Sequence, residues 1–254
     1  MTNDAEKAKA YNHLVDLAMN KVVKQTSIIA ENQLGMQMGR AANEIVPYDT
    51  LGLADAICDA IYDAIECNKY DQLPNAKGKI DPKFAEKNAA RIWAVRSHLV
   101  NIGQEQAHNE TKTLALKYWG AFVDSGTNPL FDAQNHEPEK EYFGQVALFS
   151  GRYAYEAKDM DRGDRYIAIA KKDPTQEKDA LATQLYYIRT GLTSHADSVA
   201  ATNRLKALYE ADPENDALLD ALYSMYDGAR DKAAQNALLD NHLAKYPNSF
   251  AALA

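Results

Sequence analysis

Cysteine is nearly absent: two residues in 254, Cys58 and Cys67. They lie nine positions apart in a stretch that reads as helix, roughly 13 Å along the axis and on opposite faces. That geometry excludes a disulfide between them and leaves two buried or half-buried thiols. Glycine (12) and proline (8) are also few, so turns are sparse and elements long. No run of eighteen apolar residues occurs, which excludes a bilayer-spanning helix. A basic run is missing too. The 28 Lys and Arg stand against 36 Asp and Glu, for a net charge of −8. Such a chain gains nothing from phosphate counterion release, which weighs against a nucleic-acid partner. The N-terminus, "MTNDAEKAKAYNH", lacks the basic segment and apolar core of a signal peptide. The chain as written fits the cytoplasm, and a chain whose leader has been removed fits the periplasm or an exported setting.

Motifs of chemistry are missing as well. The six histidines (13, 98, 108, 136, 195, 242) do not cluster, and HExxH, CxxC and Gly-rich phosphate loops are absent. "DMDRGDR" (159–165) hints at a calcium loop but fails. Gly163 is at the fifth position, not the sixth, and Ala170 holds the twelfth, where a bidentate Glu is required. Neither a metal nor a cofactor is expected. Paired carboxylates abound in an acidic chain, and nothing marks one pair as buried.

What is present is helical periodicity. From Asp4 to Lys24, residues Tyr11, Leu14, Val15, Ala18 and Val22 form one face, and a less regular segment follows over 28–44. In "TLGLADAICDAIYDAIEC" (50–67), Leu53, Ile57, Ile61 and Ala64 make an apolar stripe opposite Asp55, Asp59 and Asp63. Residues 68–80 read as a loop. Asp81 followed by Pro82 predicts a helix start, with the helix running to about Gln106, and Asn109 is a candidate cap for the next, ending near Asp124. "SGTNPLFDAQNHEPE" (125–139) is the longest non-periodic stretch and the best internal boundary. Helices are then expected at about 140–157, 161–172, 178–192, 195–211, 215–227 and 230–245. No strand alternation survives, so the chain reads as all-α, built of antiparallel helix pairs.

The second half repeats itself. Pro213 and Pro247 are 34 residues apart, Pro174 and Pro213 are 39 apart, and "DALATQLYY" (179–187) matches "DALLDALYS" (216–224) at five of nine positions. Gly151, Gly163, Ile167 and Ala170 in one unit, and Leu219, Tyr226, Leu239 and Pro247 in another, hold the expected small, large and terminal-proline positions, and Pro174 follows one residue early. On these residues the stretch 140–254 resembles the tetratricopeptide repeat (TPR) family. Tyr223 and His242 depart from it, standing where small residues are usual. The layout is similar to exported bacterial TPR proteins with irregular N-terminal repeats.

The resemblance implies a right-handed α-α superhelix, a solenoid in which stacked hairpins bury one another's apolar surfaces. Residues 1–125 are expected to form divergent N-terminal pairs, 126–139 a loop and 140–254 the clearer repeats, with "YPNSFAALA" reading as the opening of a further, truncated one. It also implies a concave inner wall of Gln145, Arg152, Tyr155, Thr183, Tyr187, Thr190, Asp220, Ser224 and Asp227. The same positions on any amphipathic helix are simply solvated. The expected role is a non-catalytic scaffold that holds a peptide or protein, with oligomeric state left open. Arg152 is almost the only basic group on that wall, so a basic or neutral peptide suits it better than an acidic one. Two other classes remain: an α-helical enzyme with its site in the N-terminal half, and a structural part of a larger bacterial exported assembly.

Overall fold

In a computed structural model, residues 4–74 and 78–253 are described. Among them there are twelve α-helices and no strand. Residues 75–77 of the expected 68–80 loop lie outside the described set. The chain divides into two compact units, one through Glu177 and one from Lys178. No helix among the described residues is long and apolar enough to cross a membrane.

The first unit contains α1 (Asp4–Gln37), α2 (Thr50–Asp71), α3 (Ala85–Arg96), α4 (His98–His108), α5 (Lys112–Gly126), α6 (Lys140–Glu156) and α7 (Met160–Ala170). Packing is sequential: α1 on α2, α4 on α5, α5 on α6 and α6 on α7, while α2 also meets α3, α4 and α5. The apolar stripe of α2 is its best buried face: Leu53, Ala54, Ile57 and Ile61 are fully buried. Each such Leu or Ile contributes about 1.5–3 kcal/mol by leaving water. Cys58 and Cys67 are buried free thiols, as their spacing required.

The segment 125–139 lies inside this unit rather than between units. It contains two 3-10 turns, Pro129–Phe131 and Glu137–Glu139, with Leu130, Phe131 and Glu139 buried.

Three expectations in this half need correction. The segments over 4–24 and 28–44 are one continuous helix to Gln37, because Gln25–Thr26–Ser27 dilutes the apolar pattern without breaking the backbone. The helix expected from Asp81 to Gln106 starts at Ala85 and is interrupted at Ser97. Asp81 does not cap it. The Asp71 carboxylate accepts from the backbone N–H groups of Lys83 and Phe84, both at 2.8 Å, and so takes that role from the end of α2. At Ser97 the backbone stays in the right-handed helical region, and the Val100 N–H bonds Ser97 O at 3.1 Å. The interruption is a 3-10 tightening rather than a loop. Asn109 ends α4 and does not cap α5, which opens after Thr111.

The second unit contains most of α8 (Glu177–Arg189), then α9 (His195–Ala211), α10 (Asp216–Gly228), α11 (Lys232–Lys245) and the short α12 (Phe250–Leu253). Here α9 packs on α10, α10 on α11, and α12 on both α10 and α11. Its core gathers Ile188, Ala201, Leu205, Leu219, Leu222 and Leu238. Ser194 and Asp197 form a reciprocal capping box at the start of α9.

One turn recurs in three hairpins. Glu110, Lys158 and Arg230 have φ of 59°, 62° and 57°, a left-handed conformation that non-glycine residues seldom adopt. Each donates its N–H to the carbonyl three residues back, and the next N–H reaches five back. The second bonds are Thr111 to Gln106 at 2.8 Å, Asp159 to Ala154 at 2.9 Å and Asp231 to Tyr226 at 2.9 Å. This is the Schellman closure of a helix C-terminus, and Thr111, Asp159 or Asp231 then begins the next helix. The α4–α5, α6–α7 and α10–α11 hairpins are therefore built alike.

The α6–α7 hairpin closes tightly over glycine. A Cβ at Gly163 would lie 2.3 Å from the Tyr155 ring, and one at Gly151 would lie 2.8 Å from Ile167. A larger residue at either position would force these side chains to shift.

Candidate functional site

The most developed site in the first unit begins with a buried cation. Arg96 has no solvent exposure. Its Nη1 donates to Phe122 O at 2.8 Å and to Ser125 Oγ at 3.1 Å, and its Nη2 pairs with the Glu139 carboxylate. The guanidinium lies over the rings of Trp93, at 3.7 Å, and Phe122, at 4.3 Å. Burial pulls the Arg96 pKa down to about 10, against the pull of Glu139. Burial also pushes the Glu139 carboxyl up, with Arg96 and His136 opposing. His136 adds a bond from Nε2 to Phe131 O at 3.1 Å and packs its ring on Trp93. Together these contacts pin 125–139 to α3 and α5, and so fix where α6 begins.

Beside this clasp, between the start of α6 and the end of α7, is an open cleft of about 400 Å³. Phe143, Ile169 and Pro174 supply apolar wall; Glu139, Lys140, Lys172 and Asp173 stand around it. The carboxylate of Asp173 sits over Gly144, where a Cβ would come within 2.3 Å of it. It also accepts from Thr175 N and Oγ1 at 2.9 and 2.8 Å. Lys140 pairs with Glu137 in an exposed contact. Glu139 is held by Arg96. That leaves exposed Lys172, which has no ion pair among the described residues, as the available charge. The cleft can therefore seat an apolar group beside an anionic one. Its volume falls within the range of small-ligand and side-chain pockets.

A second polar constellation links α2, α5 and α7. The Tyr62 and Tyr166 hydroxyls donate to Asp124 Oδ2 at 2.9 and 3.2 Å, and Arg165 pairs with Oδ1 at 3.2 Å. Burial is the main cause that raises both tyrosines, Tyr166 to about 12. The carboxylate has three donors and so fastens the three helices to one another. No group of three or more His, Cys, Asp or Glu among the described residues stands where it could hold a metal ion.

The expected wall residues fall as follows. On α6, Gln145 and Arg152 are exposed; Arg152 stands 3.7 Å from Glu156. Tyr155 is 3% exposed and donates to Asp164 at 2.5 Å, so it packs the hairpin. Beside Arg152 the accessible aromatic edge is made by Phe149 and Tyr153, both ring-packed on Trp119 at 5.8 Å. In the second unit Thr183, Tyr187 and Ser224 are half-buried, while Thr190, Asp220 and Asp227 are exposed. Tyr187 meets exposed Tyr186 edge-on at 5.0 Å. Asp227 binds Lys232 at 2.9 Å and Gln235 at 3.1 Å, which together lower its pKa. The structure thus places Gln145 and Arg152 on one outward face of α6, and Asp220 and Asp227 on the exposed side of α10.

Sequence reasoning passed over Phe143, Ile169 and Lys172. Their one legible trace is "KKDP" (171–174), a basic pair at a helix end before the repeat's proline.

No protein-family model matches the chain. No curated protein matches it, and no solved structure does.

Proposed function

We propose that this protein is a non-catalytic binding module of TPR-like helical hairpins that holds a peptide or a peptide-like segment of a protein. The recurrent left-handed turn of the α4–α5, α6–α7 and α10–α11 hairpins supports the repeat reading, and extends it to α4–α5, where no sequence motif stands. The observation that carries the binding reading is the α6–α7 cleft: an open apolar wall whose acids are already engaged and where Lys172 has no ion pair among the described residues. Such a surface recognises an apolar side chain and an adjacent carboxylate, and provides no group to do chemistry on them. This partner is more acidic than the α6 wall alone suggested. The difference arises because Lys140 and Lys172 sit at helix ends, where the repeat frame assigns no wall residue.

The test is selection from a random peptide library, followed by calorimetry on the enriched peptides. The account predicts sequences with a large apolar residue next to Asp or Glu. Ile169→Arg should weaken them at least tenfold, and Lys172→Glu should weaken them several-fold. If no sequence is enriched, or if neither variant alters the affinity, the proposal fails.

A further inference from the structure

We propose that α1 pairs with the α1 helix of a second copy of this chain, antiparallel, across an exposed face that flanks its contact with α2. Seventeen large apolar residues are exposed among the described residues, and ten of them fall between Leu14 and Leu51. Exposed apolar side chains scattered singly are ordinary, whereas a concentration of this kind marks an interaction surface.

The register follows from α1 itself. Its inner face, with Val15, Ala18 and Val22, is buried on α2. Farther along, Asn32 binds Val46 through both its side-chain atoms, at 2.7 and 2.9 Å, and Gln25 takes the N–H of Asp49 at 2.9 Å. The face about a quarter turn round the helix is bare. Val23, Ser27, Ala30 and Leu34 repeat at steps of four, three and four, and all are exposed. This is the spacing of a helix–helix seam, with small residues at its centre that let two helices approach closely.

Polarity along this seam is self-complementary. Turned end for end about its centre, the seam lays Val23 against Leu34 of the other copy and Ser27 against Ala30. Beside it run Leu17, Lys24, Glu31 and Met38, each seven residues from the next and all exposed. Residues spaced by seven hold the same edge of a seam, and in an antiparallel pair that edge faces its own counterpart. Lys24 then meets Glu31 of the other copy twice, and Leu17 meets Met38 twice. A parallel pair would not bring the two charges together. Neither Lys24 nor Glu31 has an ion pair among the described residues of its own chain. Between Leu14 and Leu51 three cations stand against four anions, so an anionic membrane surface is a poorer occupant than a second copy.

The test is sedimentation equilibrium of the full chain, with no ligand added, over a concentration series. Wild type is expected to dimerise. Lys24→Glu and Glu31→Lys each replace two attractions by two repulsions, and each is expected to weaken the dimer roughly tenfold or more. The double variant restores it, and mixing the two single variants yields a heterodimer tighter than either homodimer. A chain that stays monomeric at several hundred micromolar overturns the proposal. So does a dimer whose affinity ignores all these changes, or one restored by neither the double variant nor the mixture. Both substitutions are at exposed positions, and circular dichroism checks that each variant keeps its helix content.

Discussion

At the residue scale, the Arg96–Glu139 pair shows how a buried charge is used. Desolvation opposes both ions, which is why Arg96 is pulled down and Glu139 pushed up. Removing one partner leaves the other charged and buried. Arg96→Met and Glu139→Gln are therefore each expected to cost about 3–5 kcal/mol in urea unfolding. The double variant is expected to cost clearly less than the two combined, because it strands no charge. Additive losses would show that the two side chains act separately. None of this was legible in sequence. Arg96 reads as one more polar residue in a helix, and its partner comes 43 positions later from a stretch that looks like loop. The cleft was hidden for the same reason, since its walls come from two helix ends and the segments flanking them. Tyr155 is the converse case: helical spacing put it on the outward wall, but the absence of a side chain at Gly163 lets the ring turn inward.

At the scale of elements, the second half was read well. The six helices expected from residue 140 onward begin and end within three residues of those observed. Caps and prolines mark these boundaries chemically, as Asp159, Ser194 and Asp231 each accept a backbone N–H at a helix start. The start of α3 was harder because it has no local cap: Asp71, from the end of α2, instead holds the N–H groups of Lys83 and Phe84 just ahead of it. The repeated hairpin turn went unseen because Glu, Lys and Arg occupy a position where glycine would have announced it. Each of the three bears the strain of a side chain at positive φ. Lys158→Gly is accordingly expected to stabilise the protein by about 0.5–1 kcal/mol, and Lys158→Val to destabilise it by about 1–2 kcal/mol. Denaturant titration of the two variants decides this, and the reverse order would mean that the turn is not held in the left-handed region.

At the scale of the molecule, the two units have separate cores, and both cysteines belong to the first. Burial is the main cause that raises Cys58 to about 12 and Cys67 to about 11, so neither is appreciably ionised near pH 8. The native protein should therefore resist an aromatic disulfide reagent at that pH and react at both thiols once the first unit unfolds. Immediate reaction of either thiol would contradict the packing of α2. Because the second unit carries no cysteine, the labelling midpoint in urea reports on the first unit alone. A later or earlier midpoint by circular dichroism would then expose the stability of the second.

The central claim, that the α6–α7 cleft binds a peptide, is tested most directly by hydrogen exchange with a library-selected peptide bound. The account predicts new protection at the start of α6 and the end of α7, around Phe143 and Ile169, and its loss in Ile169→Arg. Protection confined to other helices, or unchanged in that variant, would contradict it.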